Sequence, residues 1–156
     1  MPYHFKETTS VPERFFAILP PDWREAISPY WPDYADTARI FTLETNGEVI
    51  GGGILFSTPA PDILSYGAEA EHWFDQGFLY IGFLWIAEEH RGRQLGSWWL
   101  QKLRELLPGQ PFWLSIDDYG LRAFYERNGY RLVKAVEVET GTEWVLIDDG
   151  QGGAIQ

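Results

Sequence analysis

Cysteine is absent from the 156 residues, which removes disulfides, thiolate zinc sites and a cysteine nucleophile together. Histidine is scarce: His4, His72 and His90 stand far apart without ligand spacing, so no metal site is expected. Long apolar runs are also missing. The longest, Phe78 to Ile86, is about half what a membrane helix needs, and the opening MPYHFKETTS has no apolar leader segment. A cytoplasmic protein without a membrane partner is expected. Basic residues are few, 12 Lys and Arg against 23 Asp and Glu, giving a formal charge of −11. Nucleic acid is therefore not an expected partner, because a phosphate backbone demands a basic face. The acidity serves solubility, and it equally suits a cationic small molecule.

The chain does contain 45% hydrophobic and 17% aromatic residues, enough for one domain with a substantial core. Its organising stretch runs from Phe78 to Leu107. Phe78 to Ile86 is apolar, aromatic or glycine throughout, as for a central strand buried on both faces. Leu95, Trp99, Leu103 and Leu106 then recur at helical spacing, so a helix starts near Gln94 or Leu95. Arg91-Gly92-Arg93 precede that start, and Gly96 and Ser97 lie in its first turn. Free N–H groups, a positive dipole end and two guanidinium groups thus converge as for an anionic phosphate. The same residues also suit a plain strand–turn–helix connection, and neither GxxxxGK[ST] nor GxGxxG is present.

Elsewhere the patterns are shorter. A first strand is read at residues 3 to 8, and helical pieces at Val11 to Leu19 and Asp22 to Ser28, with Asp22 as N-cap. Trp23, Tyr30, Trp31 and Tyr34, broken by Pro29 and Pro32, either line a cleft or pack over the sheet. Ala38 to Thr45 alternates as a strand, and Asn46-Gly47 signals a two-residue hairpin into a second strand that carries Gly51-Gly52-Gly53, where a bulge or a close approach is expected. Residues 58 to 77 form a long excursion with a helical turn from Ala68 to Phe74. Pro108-Gly109 ends the main helix, Pro111 to Ile116 makes a strand, and Asp117 or Asp118 caps a short helix ending near Asn128-Gly129. A hairpin of Tyr130 to Val138 and Glu143 to Ile147 closes a mixed α/β sandwich around one sheet.

Two segments together resemble the GNAT superfamily of acyl-CoA-dependent N-acyltransferases. Leu84-Trp85-Ile86, leading through Glu89-His90 into Arg91-Gly92-Arg93-Gln94-Leu95-Gly96, resembles that family's strand end and its Arg/Gln-x-x-Gly-x-Gly/Ala loop. Asp118 to Tyr130 resembles Asn-x-x-Ala-x-x-Phe-Tyr-Glu-x-x-Gly-Phe, in the right order and at the right separation. Three departures stand out: Gln94 where glycine is usual, Asp118 where Asn is usual, and Leu121 where Ala is usual. A single domain over residues 1–148 is expected, with a flexible tail at 149–156. The resemblance implies a mostly antiparallel sheet of six to seven strands, splayed at the two central ones and flanked by about four helices.

The resemblance also implies acetyl-CoA as acyl donor. Its pantetheine would lie along Leu84, Trp85 and Ile86 by strand addition, and its pyrophosphate would meet Arg91, Gly92, Arg93, Gln94, Leu95, Gly96 and Ser97, with Asp118 a further contact. Tyr125 falls where the family places a hydroxyl near the thioester sulfur, able to protonate the leaving thiolate. Taken as an isolated Phe-Tyr pair it would be a core residue. The central strand offers no carboxylate as general base, which leaves Glu44, Glu71, Asp75, Asp117 and Asp118 as candidates acting through water. The expected activity is direct transfer of acetyl to a primary amine, a small cationic molecule or a peptide N-terminus, with a homodimer left open. Two other classes remain: a non-catalytic acyl-CoA-binding regulatory module, and a partner-binding domain presenting Trp23, Tyr30 and Trp31.

Overall fold

The hairpin signal Asn46-Gly47 is the clearest local instruction in the chain. In the computed structural model, which describes residues 3–60 and 67–150, both turn residues have positive φ, 53° and 78°, the backbone that matches strand twist. The turn joins β2 (Ala38–Thr45) to β3 (Glu48–Phe56), and β1 (His4–Glu7) adds to the outer edge of β2. Four further strands follow: β4 (Leu79–Ile86), β5 (Phe112–Ile116), β6 (Arg131–Val138) and β7 (Gly141–Asp148). They form one seven-stranded sheet in the order β1-β2-β3-β4-β5-β7-β6. Every neighbouring pair is antiparallel except β4 and β5.

Period-two alternation sorts the side chains onto two faces. Ile40, Ile54, Tyr80, Trp113 and Val145 point to one core, and Phe41, Leu55, Ile81, Phe112 and Leu146 to the other. The first core is covered by the front of the chain: α1 (Glu13–Phe16), α2 (Pro21–Ile27) and α3 (Trp31–Tyr34), joined by α4 (Ala68–Asp75). The second is covered by α5 (Leu95–Leu106) and α6 (Arg122–Arg127). Four of these helices exceed one turn, and α1 and α3 are single turns.

Several local expectations change. α2 begins one residue before Asp22, because Pro21 has the fixed φ and the missing N–H that suit a first helical position; Asp22 sits in the first turn and Pro20 is the cap. The piece expected from Val11 to Leu19 is helical only at Glu13–Phe16, and Arg24 caps its end by donating to the carbonyls of Phe16, Ala17 and Leu19. Trp31 is buried edge-on against Phe16 and Tyr34 packs on Phe56, so Trp23, Tyr30 and Trp31 do not form an exposed aromatic patch. In the tail expected from residue 149, Asp149 pairs with Arg131 at 3.7 Å, and residues 151–156 lie outside the described residues. So does part of the excursion at 58–77, whose helical turn at Ala68 is present.

The glycine run on β3 serves a close approach. A Cβ on Gly53 would stand 2.8 Å from the Trp99 ring, and one on Gly52 would stand 2.6 Å from the Phe41 carbonyl. Trp99 is fully buried there and donates its indole N–H to Phe41 O at 3.0 Å, fixing α5 against β2 and β3. At its other end α5 is fixed to β7: Arg104 Nη2 meets Asp148 Oδ2 at 2.7 Å and Asn128 O at 2.7 Å, and Asp148 is 2% exposed. Removing one partner of such a pair leaves a buried charge uncompensated. Arg104→Ala is expected to lower unfolding free energy by about 3–5 kcal/mol, read from the urea midpoint, and Arg104→Ala with Asp148→Asn to recover part of it.

Candidate active site

β4 and β5 pair only at Leu79–Phe112 and Tyr80–Trp113. Beyond Tyr80 they part. β5 stays in register with β7 as far as Ile116, opposite Trp144, while β4 bends at a bulge. Gly52 pairs with Trp85 and Ile54 with Gly82, so Phe83 and Leu84 together oppose Gly53 alone. Phe83 has φ 57°, an uncommon conformation for an aromatic residue. Its ring is 8% exposed and packs on Trp23 and Phe56. Leu84, Trp85 and Ile86 are half-buried rather than buried on both faces as expected, because no strand covers them on the β5 side.

The wedge holds a cavity of about 390 Å³. Its β4 wall runs from Tyr80 to Leu84, its β5 wall from Leu114 to Asp117, and α2, α6 and β7 contribute Trp23, Tyr125 and Glu143. Tyr125 reaches it from the α6 side of the sheet, half-buried, with no hydrogen-bond partner for its hydroxyl among the described residues. Burial pushes its phenol up to about 12. It is therefore a neutral hydroxyl at physiological pH, able to donate to an anion in the wedge.

The turn after β4 ends in backbone suited to anions. Glu88–His90 makes one 3₁₀ turn, Gly92 has φ 82°, and Gln94 has φ 59° and ψ 29° before α5 begins at Leu95. Arg91 N is taken by Glu88 O at 3.2 Å, and Trp98 N by Gln94 O at 3.0 Å. The N–H groups of residues 92–97 find no acceptor among the described residues, so they remain available at the positive end of a twelve-residue helix. A Cβ on Gly96 would stand 3.1 Å from the Phe124 ring, so the glycine allows a close approach there. Ser97 Oγ accepts from Asn128 Nδ2 at 3.1 Å, tying the start of α5 to the end of α6.

The two arginines diverge. Arg93 donates to the Tyr3 hydroxyl at 2.8 Å and, with Gln94, Leu95 and Ser97, lines a second hollow of about 540 Å³ over the α5 start. Arg91 lies instead over the Trp85 ring at 4.4 Å and donates through Nε to Ile86 O at 2.9 Å. Ala87 N donates to Ile50 O, which leaves the main chain of Ile86 facing away from β3 and toward the wedge. Asp118 accepts from Gly120 N at 2.9 Å and so caps the turn into α6; it lines neither cavity.

The carboxylates are arranged differently from expectation. Glu44 is 4% exposed and bound to Arg14 at 3.3 Å and Lys6 at 3.6 Å, away from the wedge. Glu71 and Asp75 lie exposed on α4. Of the five candidate bases only Asp117 lines the cavity, where Asp22 and Glu143 join it. Sequence gave no signal for those two, because α2 and β7 reach one site only through the sheet order.

Gln94 occupies a left-handed position that favours glycine, at a cost of about 1–3 kcal/mol for a side chain forced into it. Gln94→Gly is expected to hold or raise the unfolding midpoint, and β-branched Gln94→Val to lower stability by about 1–2 kcal/mol, checked by thermal and urea melts.

Comparison with known proteins follows the same segments. The model of the acetyltransferase (GNAT) family matches residues 9–130. No curated protein matches the chain by sequence. Among solved structures, a GNAT family acetyltransferase from Elizabethkingia anophelis with acetyl-CoA bound shares 12% identity over 94% of this chain and 97% of that one, with TM-score 0.64. An aminoglycoside acetyltransferase in complex with coenzyme A and kanamycin shares 16% over 98% of both chains, with TM-score 0.69. An IAA acetyltransferase from Bacillus cereus shares 13% over 94% and 98%, with TM-score 0.63. The family match spans the front helices, the parted strands, the free amides at the α5 start and Tyr125, and the chain belongs to the acetyltransferase (GNAT) family.

Proposed function

We propose that the protein transfers the acetyl group of acetyl-CoA directly to a primary amine, most readily a small cationic one. The observation that carries this reading is the unpartnered Tyr125 hydroxyl in a wedge whose lining holds three carboxylates and no Lys, Arg or His. Similar folds bound to acetyl-CoA or coenzyme A support the donor.

In this reading pantetheine lies in the wedge beside the main chain of Leu84, Trp85 and Ile86. The pyrophosphate meets the N–H groups of residues 92–97 and Arg93; Arg91 joins only by leaving Trp85 and the Ile86 carbonyl, which also frees that carbonyl. Asp118 serves as a cap and Asp117 or Glu143 takes the amine proton. The amine lone pair forms the C–N bond, the C–S bond breaks with its electrons on sulfur, and Tyr125 hydrogen-bonds or protonates the thiolate. Cysteine being absent, no thioester on a protein sulfur intervenes.

Purified protein incubated with acetyl-CoA and a panel of amines is expected to release CoA thiol only when an amine is present. Binding of acetyl-CoA without release from any amine would leave a regulatory module instead. Tyr125→Phe is expected to lower kcat about 100-fold with little change in acetyl-CoA affinity; equal loss of both would make the ring a packing element. With the phenol at about 12, the pH profile should show no alkaline limb removed by Tyr125→Phe below about pH 11.

A further inference from the structure

The wedge carries more negative charge than one reacting amine requires, and it carries it on two walls. Asp22 stands on α2 beside Trp23, whose ring packs edge-on against Phe83 and Trp85 of β4 at 6.0 and 5.3 Å between centroids. Asp117 and Glu143 stand across the gap. Ile116 is the last β5 residue paired with β7, opposite Trp144, so Asp117 and Glu143 are the next positions along those two strands.

Several of the chain's few cations are paired away from the wedge. Arg39 pairs with Glu7, Arg14 and Lys6 with Glu44, Lys134 with Glu69, and Arg104 with Asp148. Asp22 and Asp117 have no ion pair or side-chain hydrogen bond among the described residues. The unpartnered Tyr125 hydroxyl, half-buried, faces the same cavity, and on the transferase reading the leaving sulfur meets it there. A monoamine reacting there can neutralise one wall only, and the exposed Asp22 on the other is left with solvent alone beside it.

Resting on the transferase reading above, we propose that the acceptor is a dication of the diamine or polyamine type. Its reacting nitrogen lies at Asp117 and Glu143, and its second ammonium is held by Asp22 against the face of Trp23. The second ammonium gains a charge-assisted hydrogen bond and a cation–π contact. The reacting ammonium yields two protons in the course of forming the amide: one ends on the CoA thiol and the other passes through the carboxylate pair to water. The product has one positive charge fewer than the acceptor, so it binds the acidic wedge less tightly and leaves.

The test compares straight-chain diamines of increasing length with monoamines in which a methyl replaces the far ammonium, by CoA-thiol release. A diamine of suitable length is expected to exceed its matched monoamine in kcat/KM by about 10- to 100-fold. Asp22→Asn should collapse that ratio toward one through KM, while the unfolding midpoint and acetyl-CoA affinity report an intact fold. If Asp22→Asn fails to fold, the wild-type ratio itself must shrink between low and high salt. A wild-type ratio near one, a ratio indifferent to both Asp22→Asn and salt, or preference for a peptide N-terminus over every diamine overturns the proposal. Equal turnover of monoamines and diamines would do so while leaving the transferase reading standing; thiol release with no amine at all would remove both.

Discussion

The parting of β4 from β5 is the constraint on which the rest of the molecule depends. A parallel pair that stayed in register would consume the main-chain groups of both strands and leave no wedge. Here the pairing ends after two positions because β4 bends at Phe83 while β5 is held straight by five pairs to β7. A left-handed aromatic residue costs roughly 1–3 kcal/mol, and it persists because its ring is locked among Trp23, Phe56 and the sheet. The wedge is thus an open sheet edge held inside the protein.

An open sheet needs something to keep its halves from drifting, and α5 does this. Near its start, Trp99 packs where a Cβ on Gly53 would stand and bonds the β2 main chain; near its end, Arg104 bonds Asp148 on β7. One helix therefore grips both halves, and its N-terminus, with its unpaired amides, lines the second hollow beside Arg93 and Gln94. The same residues that stabilise the fold hold the free amides at the α5 start in place. Gly96 and Ser97 add to this by letting α6 approach until Asn128 can reach the serine hydroxyl, and that approach sets the position of Tyr125.

Legibility followed the range of the interaction. Asn46-Gly47, the Leu95 helix start, the Asp118 cap and the closing hairpin were readable because each depends on neighbours a few residues away. The paired arginines were not. Their adjacency suggested a common clamp, yet Arg91 finds an indole face and a carbonyl on one side of the sheet while Arg93 finds Tyr3 on the other. Gln94 was readable as a departure from glycine, but the left-handed backbone that makes glycine usual there is visible only in the fold. The front segment was read as longer helix than forms, since Arg24 takes the carbonyls that a longer helix would have used.

By itself the sequence determined the sheet-and-helix pattern, the absence of thiol chemistry, the anion-suited turn after the central strand, and the Phe124-Tyr125 motif on a short helix. All of these are encoded by residue type and local spacing. Only tertiary structure decided which carboxylates share the wedge. Asp22, Asp117 and Glu143 lie on α2, after β5 and on β7, and nothing in their local sequence separates them from the other acidic residues. Their convergence is set by strand order and by the bend at Phe83, which are properties of packing between distant segments.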